Sequence, residues 1–116
     1  MASEHFSFDE LGCRHCGFFH FEDAALYKLE RLRLAIGVPF RPTSACRCPI
    51  NNARVGGAPL SQHRADEFRA ACAIDIPLVI DKRLIIEFAE QLGFMGIGVG
   101  YATFVHVDNR RYRARW

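Results

Sequence analysis

A chain of 116 residues has room for one hydrophobic core and one site. Half of it is hydrophobic and about a quarter is charged, a globular composition that excludes intrinsic disorder. Fifteen basic against 13 acidic residues leave a formal net charge of +2, too near balance for a nucleic-acid-binding or membrane-surface protein.

Residues 1–21 are rich in phenylalanine but aperiodic (Phe6, Phe8, Phe18, Phe19 and Phe21), and read as an arm packed onto the body. Met1–Glu10 is polar and acidic, with no cationic segment followed by an apolar one, so no signal peptide is expected. The chain is accordingly expected to be made in a cytoplasm without a Sec-type exit. No apolar run approaches the ~20 residues of a membrane span, so no membrane insertion is expected either. From Glu22 to Ile36 the pattern turns helical, with Ala25, Leu26, Leu29, Leu32, Leu34, Ala35 and Ile36 on one stripe; Gly37 and Pro39 supply the stop. Phe40–Arg47 reads as a short strand and Pro49–Pro59 as a turn-rich stretch. Ala70–Ile76 is strand-like. A second helix is expected from Asp81, its N-cap, to Leu92, on a stripe of Leu84, Ile85, Phe88, Ala89 and Leu92. The glycine-rich Gly93–Gly100 leads to a last strand, Thr103–Asn109, and four arginines in the final seven residues read as a solvated tail. The expectation is a single α+β domain over residues 1–116, with two main helices on an antiparallel sheet.

Five cysteines, an odd count, argue against a complete disulfide framework. Cys13 and Cys16 form a C-x-x-C pair and Cys46 and Cys48 a C-x-C pair, which can close a four-sulfur zinc site or remain reduced thiols. Cys72 stands alone in an apolar run and reads as core.

Three polar residues interrupt apolar segments: His63 after a turn-rich loop, Asp75 within Ala71–Ile76, and His106 within Phe104–Asp108. A carboxylate in an apolar strand is costly unless paired, hydrogen-bonded or metal-bound. Alternation puts Ala71, Ala73 and Asp75 on one face, and Phe104, His106 and Asp108 on one face of the last strand. Two histidines and an aspartate make a three-ligand zinc set with a fourth position open for water. The competing reading makes His106 a hydrogen-bonded core residue and Asp75 a cap.

Ser44-Ala-Cys-Arg47-Cys-Pro49 with Asn52, Val55-Gly-Gly-Ala-Pro59, Ser61-Gln-His63, Ala73-Ile-Asp75-Ile, Gly96-Ile-Gly-Val-Gly100 and Phe104-Val-His106-Val-Asp108 occur in that order. Together with Phe6–Glu10, Cys13 and Cys16-Gly17, this series resembles the zinc D-alanyl-D-alanine carboxypeptidase family of peptidoglycan peptidases, in the compact form of phage endolysins and murein endopeptidases. The resemblance implies one zinc ion on His63, Asp75 and His106, a peptidoglycan peptide as substrate, and a monomer. It places Arg47 by the cleft, on a substrate carboxylate or in a structural ion pair, with Ser44, Asn52 and Ser61 supporting the loop and the first histidine. It also implies action on the cell wall, after phage-mediated release or as a virion component.

Two departures stand out. Members usually place the aspartate seven residues after the first histidine; here the gap from His63 to Asp75 is twelve. It is read as a loop inserted over 64–70 at the cleft edge, with Asp66 the other candidate ligand. Several branches carry an acid three residues before the last histidine, where this chain has Thr103. Asp108 is the nearest substitute as catalytic base, or else orients His106, and Asp66 or Glu67 can supply the base instead. Two other classes remain open: a zinc-bound wall-binding domain without hydrolysis, and a zinc-knuckle module on Cys13, Cys16, Cys46 and Cys48.

Overall fold

The computed structural model describes residues 1–116. Helix α1 (Phe8–Leu11) opens the chain, closed by a reciprocal capping box between Ser7 and Glu10. The arm therefore holds one helical turn, and Phe6 and Leu11 drive it into the core. Helix α2 (Asp23–Ile36) buries Ala25, Leu29, Leu32 and Ile36 and ends on Gly37 at φ 79°. Leu34, expected on the buried stripe, is 59% exposed.

Phe40–Arg47 does not become a ladder strand. Pro39 and Pro42 remove backbone donors on either side of Phe40. What survives are isolated bridges, Ser44 to Asp75 and Arg47 to Arg64. The turn-rich stretch contains a helix, α3 (Pro49–Arg54), started by Pro49 in its first turn and by the Cys48 sulfur, which accepts from the Asn51 N–H. Strand β1 (Ala73–Pro77) is followed by α4 (Lys82–Gln91), whose Asp81 N-cap accepts from the Arg83 N–H. Ile85 and Ala89 face inward; Leu84 does not. Strands β2 (Gly96–Gly98), β3 (Phe104–Asp108) and β4 (Ala114–Arg115) complete the sheet.

The strand order is β1-β3-β2-β4. The expected antiparallel pairing holds for β1–β3 and β2–β3, and β4 adds a parallel edge beside β2, so the α+β fold carries a mixed sheet. The arginine-rich end is therefore not a solvated tail. Arg115 is held by two bonds to Glu90, from Nε at 2.6 Å and Nη2 at 2.9 Å, and Trp116 by backbone bonds to β2 and Val99.

Ile74, Ile76, Val105, Val107 and Ile97 join Leu29, Leu32, Ile85 and Ala89 in one core cluster, which occupies one side of the sheet. Alternation leaves Ala73, Asp75, His106 and Asp108 for the other side. Asp75 stands directly opposite His106 in the β1–β3 register. No helix is long and apolar enough to cross a membrane.

Candidate metal centre

His63, Asp75 and His106 reach one point from three segments, and all three are buried. His63 Nε2 lies 3.1 Å from Asp75 Oδ1 and 3.2 Å from His106 Nδ1, and His106 Nδ1 lies 3.0 Å from Asp75 Oδ1. Each imidazole is held from behind. His63 Nδ1 is 2.7 Å from the Ala45 carbonyl, which can only accept, so Nδ1 carries the proton and Nε2 presents its lone pair. His106 Nε2 is 2.7 Å from Asp108 Oδ2, which in the neutral ring keeps the proton on Nε2 and leaves the Nδ1 lone pair toward Asp75 and His63.

With both rings neutral, two nitrogen lone pairs and a carboxylate oxygen converge on one point, an arrangement suited to a cation. The separations suit zinc. Bonds of about 2.0–2.1 Å at tetrahedral angles set donors about 3.3 Å apart, close to the triangle observed. The donor set and its hydrogen-bonded backing therefore fit the metal.

The electrostatics follow from the same contacts. Burial alone would raise the Asp75 pKa, but the imidazoles of His106 and His63, which can take up protons and donate to it in the absence of metal, hold it at about 2. Burial pushes His63 down, more strongly than Asp75 pulls it up. For His106, burial is outweighed by hydrogen bonds to Asp108 and Asp75, and its pKa rises. Burial also opposes ionisation of Asp108, yet His106 and Arg110 keep it far below the carboxylate range.

Asp108 is fully buried and occupied. Oδ2 meets His106 Nε2 and Arg110 Nη2 at 2.7 Å each, and Oδ1 accepts from Arg110 Nε at 2.9 Å. Small residues make room for it: Ala73 stands opposite on β1 and Gly96 on β2. A Cβ on Gly96 would come within 2.2 Å of Asp108 Oδ1.

A cleft of about 760 Å³ opens over the triad, with Ser44, Arg47, Ser61, Tyr101, Arg110 and Trp116 among its walls. Arg47 is half-buried, burial lowers its pKa despite nearby Asp75, and its buried Nε has no hydrogen-bond partner. Ser61 Oγ accepts from the His63 N–H at 3.3 Å and shapes that turn. Ser44 pairs with Asp75 through its backbone, Asp75 N donating to Ser44 O at 2.8 Å. Buried Asn52 donates to the Ala58 carbonyl at 2.8 Å and braces the loop below.

The loop over 64–70 does not edge this cleft. Ala65, Asp66 and Glu67 line a separate hollow beside Cys16 and Cys48. Asp66 Oδ1 accepts from the backbone of Phe68 and Arg69, at 2.8 and 2.9 Å, which closes the turn. Asp66 is thus not the ligand, and neither it nor Glu67 faces the triad.

Sequence reading did not single out Arg110, Tyr101 or Trp116. Arg110 lies 4.7 Å from the Trp116 ring, Trp116 packs 5.0 Å from His106, and Trp116 Nε1 donates to Tyr101 Oη at 2.8 Å. The signal available was the acid–base spacing of Asp108 and Arg110; the aromatic wall left none, because it depends on where β4 docks.

A search of curated proteins finds no match to the chain. A family model described as peptidase M15 matches residues 4–108, a span that takes in both histidines, Asp75 and Asp108. The chain belongs to the peptidase M15 family of zinc-dependent peptidases, the group that its ordered motifs resemble.

Proposed function

We propose that this chain hydrolyses an amide bond in the stem peptides or cross-links of bacterial peptidoglycan, with one zinc ion held by His63 Nε2, Asp75 Oδ1 and His106 Nδ1. When bound, zinc polarises a carbonyl and brings the pKa of water towards 7. The observation that carries the substrate reading is Arg47, a half-buried guanidinium on the wall of the same cleft as the triad, with no carboxylate of the protein paired to it. Its fork suits a carboxylate, and stem peptides end in and carry carboxylates. Ser44 and Ser61 border the same wall and offer hydroxyls to the peptide.

The remaining residues orient and donate. Asp108 holds the His106 proton on Nε2, and Arg110 neutralises Asp108, so the imidazole keeps one orientation. With both oxygens engaged, Asp108 acts as a positioning residue rather than as the catalytic base. Tyr101 accepts from Trp116, which leaves its own O–H free to donate to a substrate carbonyl oxygen. The family resemblance supports action on the wall as a monomer after phage-mediated release or from a virion.

Asp75 is the only carboxylate on the cleft wall, and this favours one second reading: a zinc-bound wall-binding domain that does not hydrolyse. Digestion of purified sacculi, with chelator and with zinc restored, separates the two when released muropeptides are read by mass spectrometry. Zinc-dependent release is expected, and the new termini identify the bond. A folded, zinc-loaded chain that binds sacculi of several chemotypes and releases nothing overturns the peptidase reading.

A further inference from the structure

The cysteines form a second constellation that the cleft does not use. The sulfurs of Cys13, Cys16 and Cys48 lie within 4.8 Å of one another, joined from chain positions more than thirty residues apart. All five cysteines are free thiols, so no disulfide accounts for the gathering. The four-sulfur set suggested by the spacing does not form. Cys46 turns into the core with its sulfur toward the His20 carbonyl, and burial pushes its thiol up to about 11. On the ligand side stands His15, with Nδ1 3.6 Å from Cys48 Sγ.

We propose that Cys13, Cys16 and Cys48, with His15 the nearest fourth donor, form a second metal site of the structural zinc class, separate from the His63–Asp75–His106 centre. Zinc–sulfur bonds of about 2.3 Å and a zinc–nitrogen bond of about 2.0 Å at tetrahedral angles set sulfur and nitrogen about 3.5 Å apart, close to the 3.6 Å between Cys48 Sγ and His15 Nδ1. The local chain is shaped for it. Gly17 at φ 77° lets its N–H return to the Cys13 carbonyl at 2.7 Å, so Cys13 and Cys16 flank one tight turn. Backbone donors also aim at the sulfurs: Cys48 N–H to Cys13 Sγ and Asn51 N–H to Cys48 Sγ, each 3.3 Å. Such bonds stabilise thiolate ligands from the second layer, as Asp108 and Ala45 do for the histidines.

The consequence is mechanical. A metal there fastens the turn after α1 to the start of α3, one residue beyond Arg47 and three beyond Ala45, whose carbonyl holds His63. A domain this small gains from such a staple.

The test uses the reduced full chain, with metal content measured and cobalt(II) then substituted for zinc. The first centre has no sulfur, so a thiolate-to-cobalt charge-transfer band reports the second site alone. The wild type is expected to hold two equivalents and show the band. The paired substitution His63→Ala and His106→Ala should lose one equivalent and keep the band. Cys16→Ser should lose the other equivalent and the band, Cys46→Ser should keep both, and His15→Ala should weaken cobalt binding while retaining the band. If Cys16→Ser misfolds, the wild-type and double-histidine spectra still decide. A folded, reduced wild type with no charge-transfer band, or one whose Cys13, Cys16 and Cys48 react freely with a thiol reagent in the presence of metal, overturns the proposal.

Discussion

Replacing Asp108 by asparagine separates a positioning role from a basic one. The side chain keeps its shape, so the new amide oxygen can still accept from His106 Nε2, but the negative charge beside Arg110 disappears. Arg110 has two close bonds to that carboxylate and its side chain is only 15% exposed. Breaking a buried pair from one side costs about 3–5 kcal/mol, and the exposed edge of Arg110 and its contact with Trp116 place this case near about 3. At this length about 1 kcal/mol moves the midpoint by roughly 4 °C, so the metal-free variant should melt about 12 °C lower. Comparing metal-free forms matters, since zinc stabilises whichever protein binds it better. Zinc affinity, measured by competition with a chromogenic chelator, should fall about 10–100-fold because His106 loses an anionic partner. Once zinc is saturating, kcat should recover most of its value. An Asp108→Asn chain with wild-type zinc affinity and wild-type melting, yet no turnover at saturating zinc, would refute the reasoning and return Asp108 to the role of base.

Arg47→Lys keeps charge but not the fork, and should lower kcat/KM by about 10–100-fold on a substrate with a free carboxylate, from the roughly 1.5–3 kcal/mol of a charged hydrogen bond. Blocking that carboxylate as an amide should erase the difference between variant and wild type; an equal deficit on both substrates would make Arg47 structural. Gly96→Ala drives a methyl into Asp108 Oδ1, and overpacking of about 1–3 kcal/mol should lower melting by about 4–12 °C, with zinc affinity falling in parallel. Glu30 governs part of the acid limb. Burial would raise its pKa, but Ser3 and the backbone and ring of His5 hydrogen-bond the carboxylate and bring it below its ordinary value. A depressed carboxylate contributes stability above its unfolded pKa and loses it as pH falls through the folded one. Urea midpoints of wild type and Glu30→Gln should therefore differ near neutrality and converge in acid; a constant gap would remove Glu30 from the titration.

The meeting of His63, Asp75 and His106 was legible because each residue interrupts an apolar run, where an uncompensated polar group is expensive. Period-2 alternation then put Asp75 and His106 on sheet faces that the β1–β3 register brings opposite each other. The two long helices were legible from the helical recurrence of their apolar positions, with Gly37 and Asp81 marking an end and a start. What failed to show depends on contacts between distant segments. Arg115 reads as solvated until the parallel β2–β4 pairing sets it against Glu90. The loop over 64–70 reads as a cleft edge by proximity to His63, yet its direction is set by the Asp66 turn and by His20, whose Nδ1 meets the Asp66 carbonyl at 2.7 Å. Cys46 reads as a partner of Cys48 until its N–H is seen bound to the Leu11 carbonyl, which turns the sulfur inward.

The site is built from two kinds of sequence, and they carry different burdens. Within the matched span 4–108 lie the three donors and the carboxylate that orients one of them. Beyond Asp108, Arg110 neutralises that carboxylate, Trp116 covers His106, and Tyr112 borders the cleft. An anion as deeply buried as Asp108 needs a cation close by, so the orientation of His106 depends on a segment that the donor motif does not contain. Because β4 is only two residues long, the backbone bonds of Trp116 to Ile97 and Val99 extend its pairing with β2, and the Arg115–Glu90 pair adds a side-chain tie. The donors and most of the cleft wall thus come from the matched span, while the cation that neutralises Asp108 and the indole over His106 come from the segment beyond it.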